Sequence, residues 1–124
     1  MDADADQARP QSPKIIIVGP CASGKSTLAE RLRGLGYDAA VCAQEHSEIA
    51  TLWRRSNPDI VIYLDVDLPT IRARRGEDWP ETIYETQLRR LQAARTGADV
   101  IVDSARLNQD AVLAQVLAVL QQPS

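Results

Sequence analysis

Gly19, Gly24, Lys25 and Ser26 occupy the fixed places of a G-x-x-x-x-G-K-[ST] pattern in the stretch GPCASGKST, directly after the apolar run Lys14-Ile15-Ile16-Ile17-Val18. This spacing suits the holding of phosphate. A loop that wraps a phosphate must aim several backbone N–H groups at one cluster of oxygens, which asks for glycine at its ends. A helix starting near Gly24 adds unpaired N–H groups and the positive end of its dipole. Cys21, Ala22, Ser23 and Thr27 complete the expected cradle. Lys25 is placed to reach the β and γ phosphates, and the Ser26 hydroxyl to ligate Mg²⁺. Four constrained positions match by accident in roughly one chain of this length in a few hundred. A strand before the pattern and a helix after it make accident rarer still.

Other groups with chemical potential gather where a strand is expected to end. Glu45 follows a second strand expected beside the phosphate loop, where a carboxylate holds a Mg²⁺-bound water or accepts a proton. Asp65 is the alternative carboxylate for that role. His46, the sole histidine, is read either as a hydrogen-bonded structural residue or as a catalytic group. Neither Cys21 nor Cys42 belongs to a C-x-x-C or to a zinc-type cluster. Both read as small semi-apolar residues of a reducing cytosol, Cys21 also as an accessible thiol beside a helix N-terminus.

The elements that must position these groups alternate. Strands are expected over 14–18, 37–43, 59–67 and 99–104. Helices are expected over 24–33, 44–57, 80–96 and 109–121, with a short helical turn opened by Pro69 that carries Arg72, Arg74 and Arg75. The 44–57 helix rests on Ile49, Ala50, Leu52 and Trp53 falling on one side, and Asn108 is the expected cap of the last helix. Alternation of this kind gives an α/β fold: three α/β/α layers around a small, mostly parallel sheet of about four strands. Ligands in such sheets bind beyond the carboxyl ends of the strands.

Bulk properties bound the partners. The chain has 124 residues, is 44% hydrophobic and 25% charged, and carries a net charge of −3. Asp2, Asp4 and Asp6 account for that excess, so the remainder is nearly balanced. Without a basic patch, nucleic acid is not an expected partner. No apolar stretch approaches ~20 residues, so no membrane span is expected. Residues 1–13, MDADADQARPQSP, lack an apolar core and read as a disordered acidic tail rather than a signal peptide. Residues 14–124 then form one nucleotide-binding domain of cytoplasmic type, with aromatics too scarce to build its core.

Two further segments carry a resemblance. PDIVIYLDVDLPTIRARR resembles the P-D-strand and arginine-bearing lid helix of thymidylate kinases and other nucleoside and nucleotide kinases. ADVIVDSARLNQDAVLAQVLAVL resembles the last strand and helix of adenylate-kinase-like proteins. With the phosphate loop, the likeness to P-loop NTPases of the kinase group spans roughly residues 14–121. It implies ATP and Mg²⁺ as cofactors, Lys25 on phosphate and Ser26 on the metal, with Glu45 the substitute this chain itself offers for a second metal-holding group. Arg72 and Arg75 would close over the γ-phosphate with Arg74 in reserve, and Ser104-Ala105-Arg106 would lie along the base. Two features of the group are missing from this chain. Only about fifteen residues stand where the acceptor-binding insert belongs, and there is no separate strand ending in a magnesium-ordering Asp.

Two function classes follow. One is a small Mg²⁺-dependent phosphotransferase acting on a nucleoside, nucleotide or other small hydroxyl acceptor. The other is a nucleotide-binding module, slow or inert in hydrolysis, that reports nucleotide state to a partner protein. A GTPase switch is disfavoured, since DVIVDS lacks N-K-x-D and no D-x-x-G follows a strand. A homodimer could supply the missing acceptor wall.

Overall fold

The structure, a computed structural model, describes residues 13–122. The tail expected over 1–13 lies outside the described residues except for Pro13. Four strands, β1 (Lys14–Val18), β2 (Asp38–Val41), β3 (Ile60–Asp65) and β4 (Val100–Asp103), form one parallel sheet in the order β2-β1-β3-β4. The helices are α1 (Lys25–Gly34), α2 (Leu68–Arg75), α3 (Glu81–Thr96) and α4 (Gln109–Leu120). This is the expected α/β architecture, in the arrangement of a P-loop NTPase-like fold.

The central strands are apolar on both sides because both faces of the sheet are covered. Alternation then sorts their side chains into two cores. Ile15, Ile17, Ile62 and Leu64 pack with Leu28, Ala29 and Leu32 of α1 and with Val112, Leu113 and Val116 of α4. Ile16, Val18, Val61 and Tyr63 face the other way, onto Trp53 and onto Leu91 and Ala94 of α3. Two aspartates finish the N-terminal edge of the sheet. Asp59 Oδ2 accepts from the Lys14 N–H at 2.7 Å, and Asp99 Oδ2 from the Val61 N–H at 2.7 Å. Each sits just before a strand and fixes its register against the neighbour.

The helix expected over 44–57 does not form. In its place are two single 3₁₀ turns, Gln44–His46 and Leu52–Arg54, joined by irregular chain. The cause is Gln44, whose side chain is wholly buried. Its Nε2 donates to the carbonyls of Ile49 (2.8 Å) and Arg90 (3.2 Å), and its Oε1 accepts from the Trp53 N–H (3.0 Å). The Ile49 carbonyl and the Trp53 N–H are groups that a helix over 44–57 would pair with each other, so side-chain bonding wins over local periodicity. The segment packs on α3, and Trp53 lies so close to Gly97 that a Cβ there would meet its ring at 2.7 Å.

Candidate functional site

The loop between β1 and α1 opens at the carboxyl end of the sheet. Gly19 passes so close to β3 that a Cβ would lie 2.5 Å from the Leu64 carbonyl oxygen and 2.8 Å from Ser23 Oγ. Gly24, the N-cap of α1, has φ +94, a backbone region in which side chains are strained. Ala22 takes φ +63 between them. Both motif glycines therefore have a local steric reason.

A cavity of about 850 Å³ lies over this loop, lined by residues 21–27 and, among others, by Glu45, His46, Arg74 and Arg75. Lys25 is folded back within it. Its Nζ donates to the carbonyls of Gly19 and Pro20, both at 2.9 Å, and pairs with Glu45 Oε2 at 2.9 Å. The side chains of Lys25 and Glu45 are only 10% and 5% exposed, so this ion pair is largely removed from water. The other carboxylate oxygen, Glu45 Oε1, is buried and has no hydrogen-bond partner among the described residues. A buried acceptor in that state stands ready for a donor or a cation. The turn after β2, anchored by Gln44, is what carries Glu45 to Lys25.

Two residues without a part in the sequence-derived site support the loop. Gln87 of α3 is 2% exposed; its Oε1 accepts from the Cys21 N–H at 3.0 Å and its Nε2 donates to Cys21 Sγ at 3.1 Å. Its signal in the sequence is a polar residue within the stripe Tyr84, Leu91 and Ala94. Gln44, just described, sits at the end of β2 without any periodic signal.

The arginines divide differently from the expectation drawn from helical spacing. Arg74, expected to point elsewhere, donates Nη1 to the Ala22 carbonyl and Nη2 to the Ser104 carbonyl at 2.7 Å. It thus joins α2 to the loop after β1 and to the loop after β4. Arg75 also lines the cavity. Arg72 does not; its Nε donates to the Trp79 carbonyl at 3.0 Å and closes the turn that follows α2. Gly76 at that turn has φ +131.

Arg106 likewise lies away from the main cavity. It pairs with Asp103 Oδ2 at 2.7 Å and lines a smaller hollow with Asp65, Asp67 and Tyr84. Its guanidinium, with two backbone N–H bonds, holds the Asp103 carboxyl below the usual carboxylate range. Asp65 pairs with Arg95 at 3.4 Å in the same region, so of the two candidate carboxylates only Glu45 reaches Lys25. The buried hydroxyl of Tyr63 has no partner among the described residues and is pushed far up by burial and by the Asp65 charge. Ser104, rather than Arg106, borders the phosphate-loop cavity.

No family model matches the chain, and no curated protein does. Among solved structures it is similar to the crystal structure of the YorR protein of Bacillus subtilis in complex with phosphorylated GDP, with a TM-score of 0.59 and 14% identity. The match covers 87% of this chain and 96% of that one. At such low identity the likeness establishes a shared fold, the P-loop NTPase-like α/β sheet described above.

Proposed function

We propose that the cavity over the phosphate loop binds a Mg²⁺-nucleoside triphosphate, ATP in the first instance, and that the chain is a small phosphotransferase. The observation that carries this reading is the buried Lys25–Glu45 pair at the foot of a glycine-bounded anion cradle. On phosphate binding, Lys25 exchanges its carbonyl and carboxylate partners for phosphate oxygens. Glu45, with Oε1 already unpartnered, is then free to hold a metal-bound water or to take the proton of an acceptor hydroxyl. Ser26 and Glu45 would hold the Mg²⁺, which when bound neutralises phosphate charge and favours in-line transfer. Arg74 and Arg75 of α2 lie at the cavity and would meet charge that develops on the transferred group. The nucleotide complex of the structurally similar YorR protein supports a nucleotide as ligand.

A second reading has its own support. The connection between β2 and β3 holds only two single 3₁₀ turns, with no acceptor-binding insert. That favours a nucleotide-binding module acting through a partner protein. One experiment separates the two: ATP and Mg²⁺ with a panel of nucleosides, nucleoside monophosphates and small hydroxyl metabolites, monitoring ADP and phosphorylated product. Acceptor-stimulated ADP release that is lost in Glu45→Gln establishes the phosphotransferase. ATP binding without product for any acceptor establishes the module.

A further inference from the structure

Cys21 of the phosphate loop lies beside the turn after β2. Its Sγ is 3.9 Å from His46 Nε2, which is itself 3.7 Å from Glu45 Oε2. One sulfur, one nitrogen and one carboxylate oxygen lie within 4.8 Å of one another, the one such group of potential metal ligands among the described residues. We propose that Cys21, Glu45 and His46 form a site for a borderline-soft divalent ion such as Zn²⁺.

Ligand chemistry and geometry point the same way. Mg²⁺ takes oxygen ligands, whereas a thiolate with an imidazole suits zinc and its neighbours. Bond lengths of about 2.3 Å to sulfur and about 2.0 Å to nitrogen and oxygen, at a tetrahedral angle, separate ligand atoms by roughly 3.3–3.5 Å. The two distances from His46, 3.7 and 3.9 Å, exceed that by a few tenths of an ångström, and all three ligand atoms lie within 4.8 Å. His46 has 59% of its side chain exposed, so its ring is free to make that adjustment. Two observations beyond the cluster support a ligand here. Glu45 Oε2, the oxygen 3.7 Å from His46, also pairs with Lys25, while Oε1 is buried without a partner among the described residues, so a small turn of the carboxylate lets it hold Lys25 with one oxygen and the ion with the other. Gln87 Nε2 donates to Cys21 Sγ at 3.1 Å, the kind of outer hydrogen bond that orients a metal-bound sulfur. Three protein ligands leave a fourth position to water. Cys21 gives up its thiol proton to solvent as the ion binds.

The ion has a consequence for the site. With Glu45 committed to it, the carboxylate is no longer free to hold the Mg²⁺-bound water or take an acceptor proton, so phosphotransfer is suppressed while Mg²⁺-ATP binding stays within a few-fold; this consequence, unlike the ion site itself, rests on the proposed function.

Cobalt(II) is the test probe, titrated into the reduced nucleotide-free protein, with circular dichroism to confirm that each variant is folded. Wild type and Cys42→Ser should show a thiolate-to-cobalt charge-transfer band saturating at one equivalent. Cys21→Ser should lack the band, and His46→Ala should weaken cobalt binding by about tenfold or more. Absence of the band in wild type, or its loss with Cys42 instead of Cys21, overturns the proposal. ATP titration and acceptor-dependent ADP release, each with and without saturating Zn²⁺, test the consequence separately. At least tenfold slower release with ATP affinity kept within a few-fold supports it, and an unchanged rate overturns it. Absence of ATP binding in either condition counts against the nucleotide reading and leaves the cobalt result standing.

Discussion

Lys25 and Glu45 allow the stability of the site to be separated from its ligand binding. Lys25→Met keeps most of the side-chain stem and removes the charge. It leaves the Glu45 carboxylate 5% exposed, with Oε1 already unpartnered and only His46 nearby at 3.7 Å. Breaking a buried pair by removing one partner costs about 3–5 kcal/mol. The cavity admits water to one side of Glu45, which favours the lower end, about 3 kcal/mol. For a domain of this size that lowers Tm by roughly 10–15 °C. Glu45→Gln alone costs less, about 1–2 kcal/mol, because Lys25 retains the Gly19 and Pro20 carbonyls. The double variant carries neither buried charge and should recover about 2 kcal/mol of the Lys25→Met loss.

Urea unfolding of the four proteins gives the coupling energy directly, and calorimetry with Mg²⁺-ATP gives the other half of the result. Lys25→Met and the double variant should both lose about 10- to 150-fold in ATP affinity, the equivalent of roughly 1.5–3 kcal/mol for a charge-assisted hydrogen bond. Glu45→Gln should stay within a few-fold of wild type. Stability is thus restored by the second substitution while binding is not. A Lys25→Met protein as stable as wild type, or a double variant no more stable than Lys25→Met, refutes the buried-pair argument. Equal ATP affinity in wild type and Lys25→Met refutes the phosphate site.

The arginines, the Gln44 anchor and the cap of α2 give three more tests. Arg74→Ala and Arg75→Ala should each lower acceptor-dependent turnover about 10²–10³-fold with little loss of ATP affinity, while Arg72→Ala, bonded to Trp79, stays near wild type in both steady-state measurements. Gln44→Leu strands the Trp53 N–H and takes a second donor from the Ile49 and Arg90 carbonyls, of which Ile49 keeps the Leu52 N–H, and should cost about 1–3 kcal/mol in urea unfolding. Asp67 accepts from the Thr70 N–H at the start of α2, and its bonds to Thr70 hold its carboxyl below the usual range. A depressed folded-state pKa gives stability that is full above the unfolded value, about 3.9, and is lost as pH falls through the folded value. Asp67→Asn, which still caps but carries no charge, should therefore be somewhat less stable than wild type near pH 7, approach it as pH falls below ~3, and show a shallower decline between.

What the sequence disclosed depended on how far along the chain each cause lay. The glycine-bounded turn after β1, the four strands and the Asn108 cap follow from neighbours a few residues away: Asn108 Oδ1 accepts from the Ala111 N–H three positions on. The nearness of Glu45 to the loop was also legible, because parallel pairing of β1 with β2 brings their carboxyl ends together. The helix over 44–57 was misread because apolar spacing is silent about a side chain that takes backbone partners, one of them 46 residues away. Helical spacing likewise put Arg72 and Arg75 on one face without saying which face meets the loop. That choice is made by Arg74, through carbonyls 52 and 30 residues distant. Gln87 reaches Cys21 across 66 residues. Gln44 and Gln87 are both buried amides, and burial without partners costs such a group more than its apolar replacement would. A glutamine just past a strand, or one interrupting an apolar helical stripe, therefore implies a distant backbone partner: Gln87 finds Cys21 in the loop after β1, and Gln44 finds Arg90 of α3, which fixes the turn that carries Glu45.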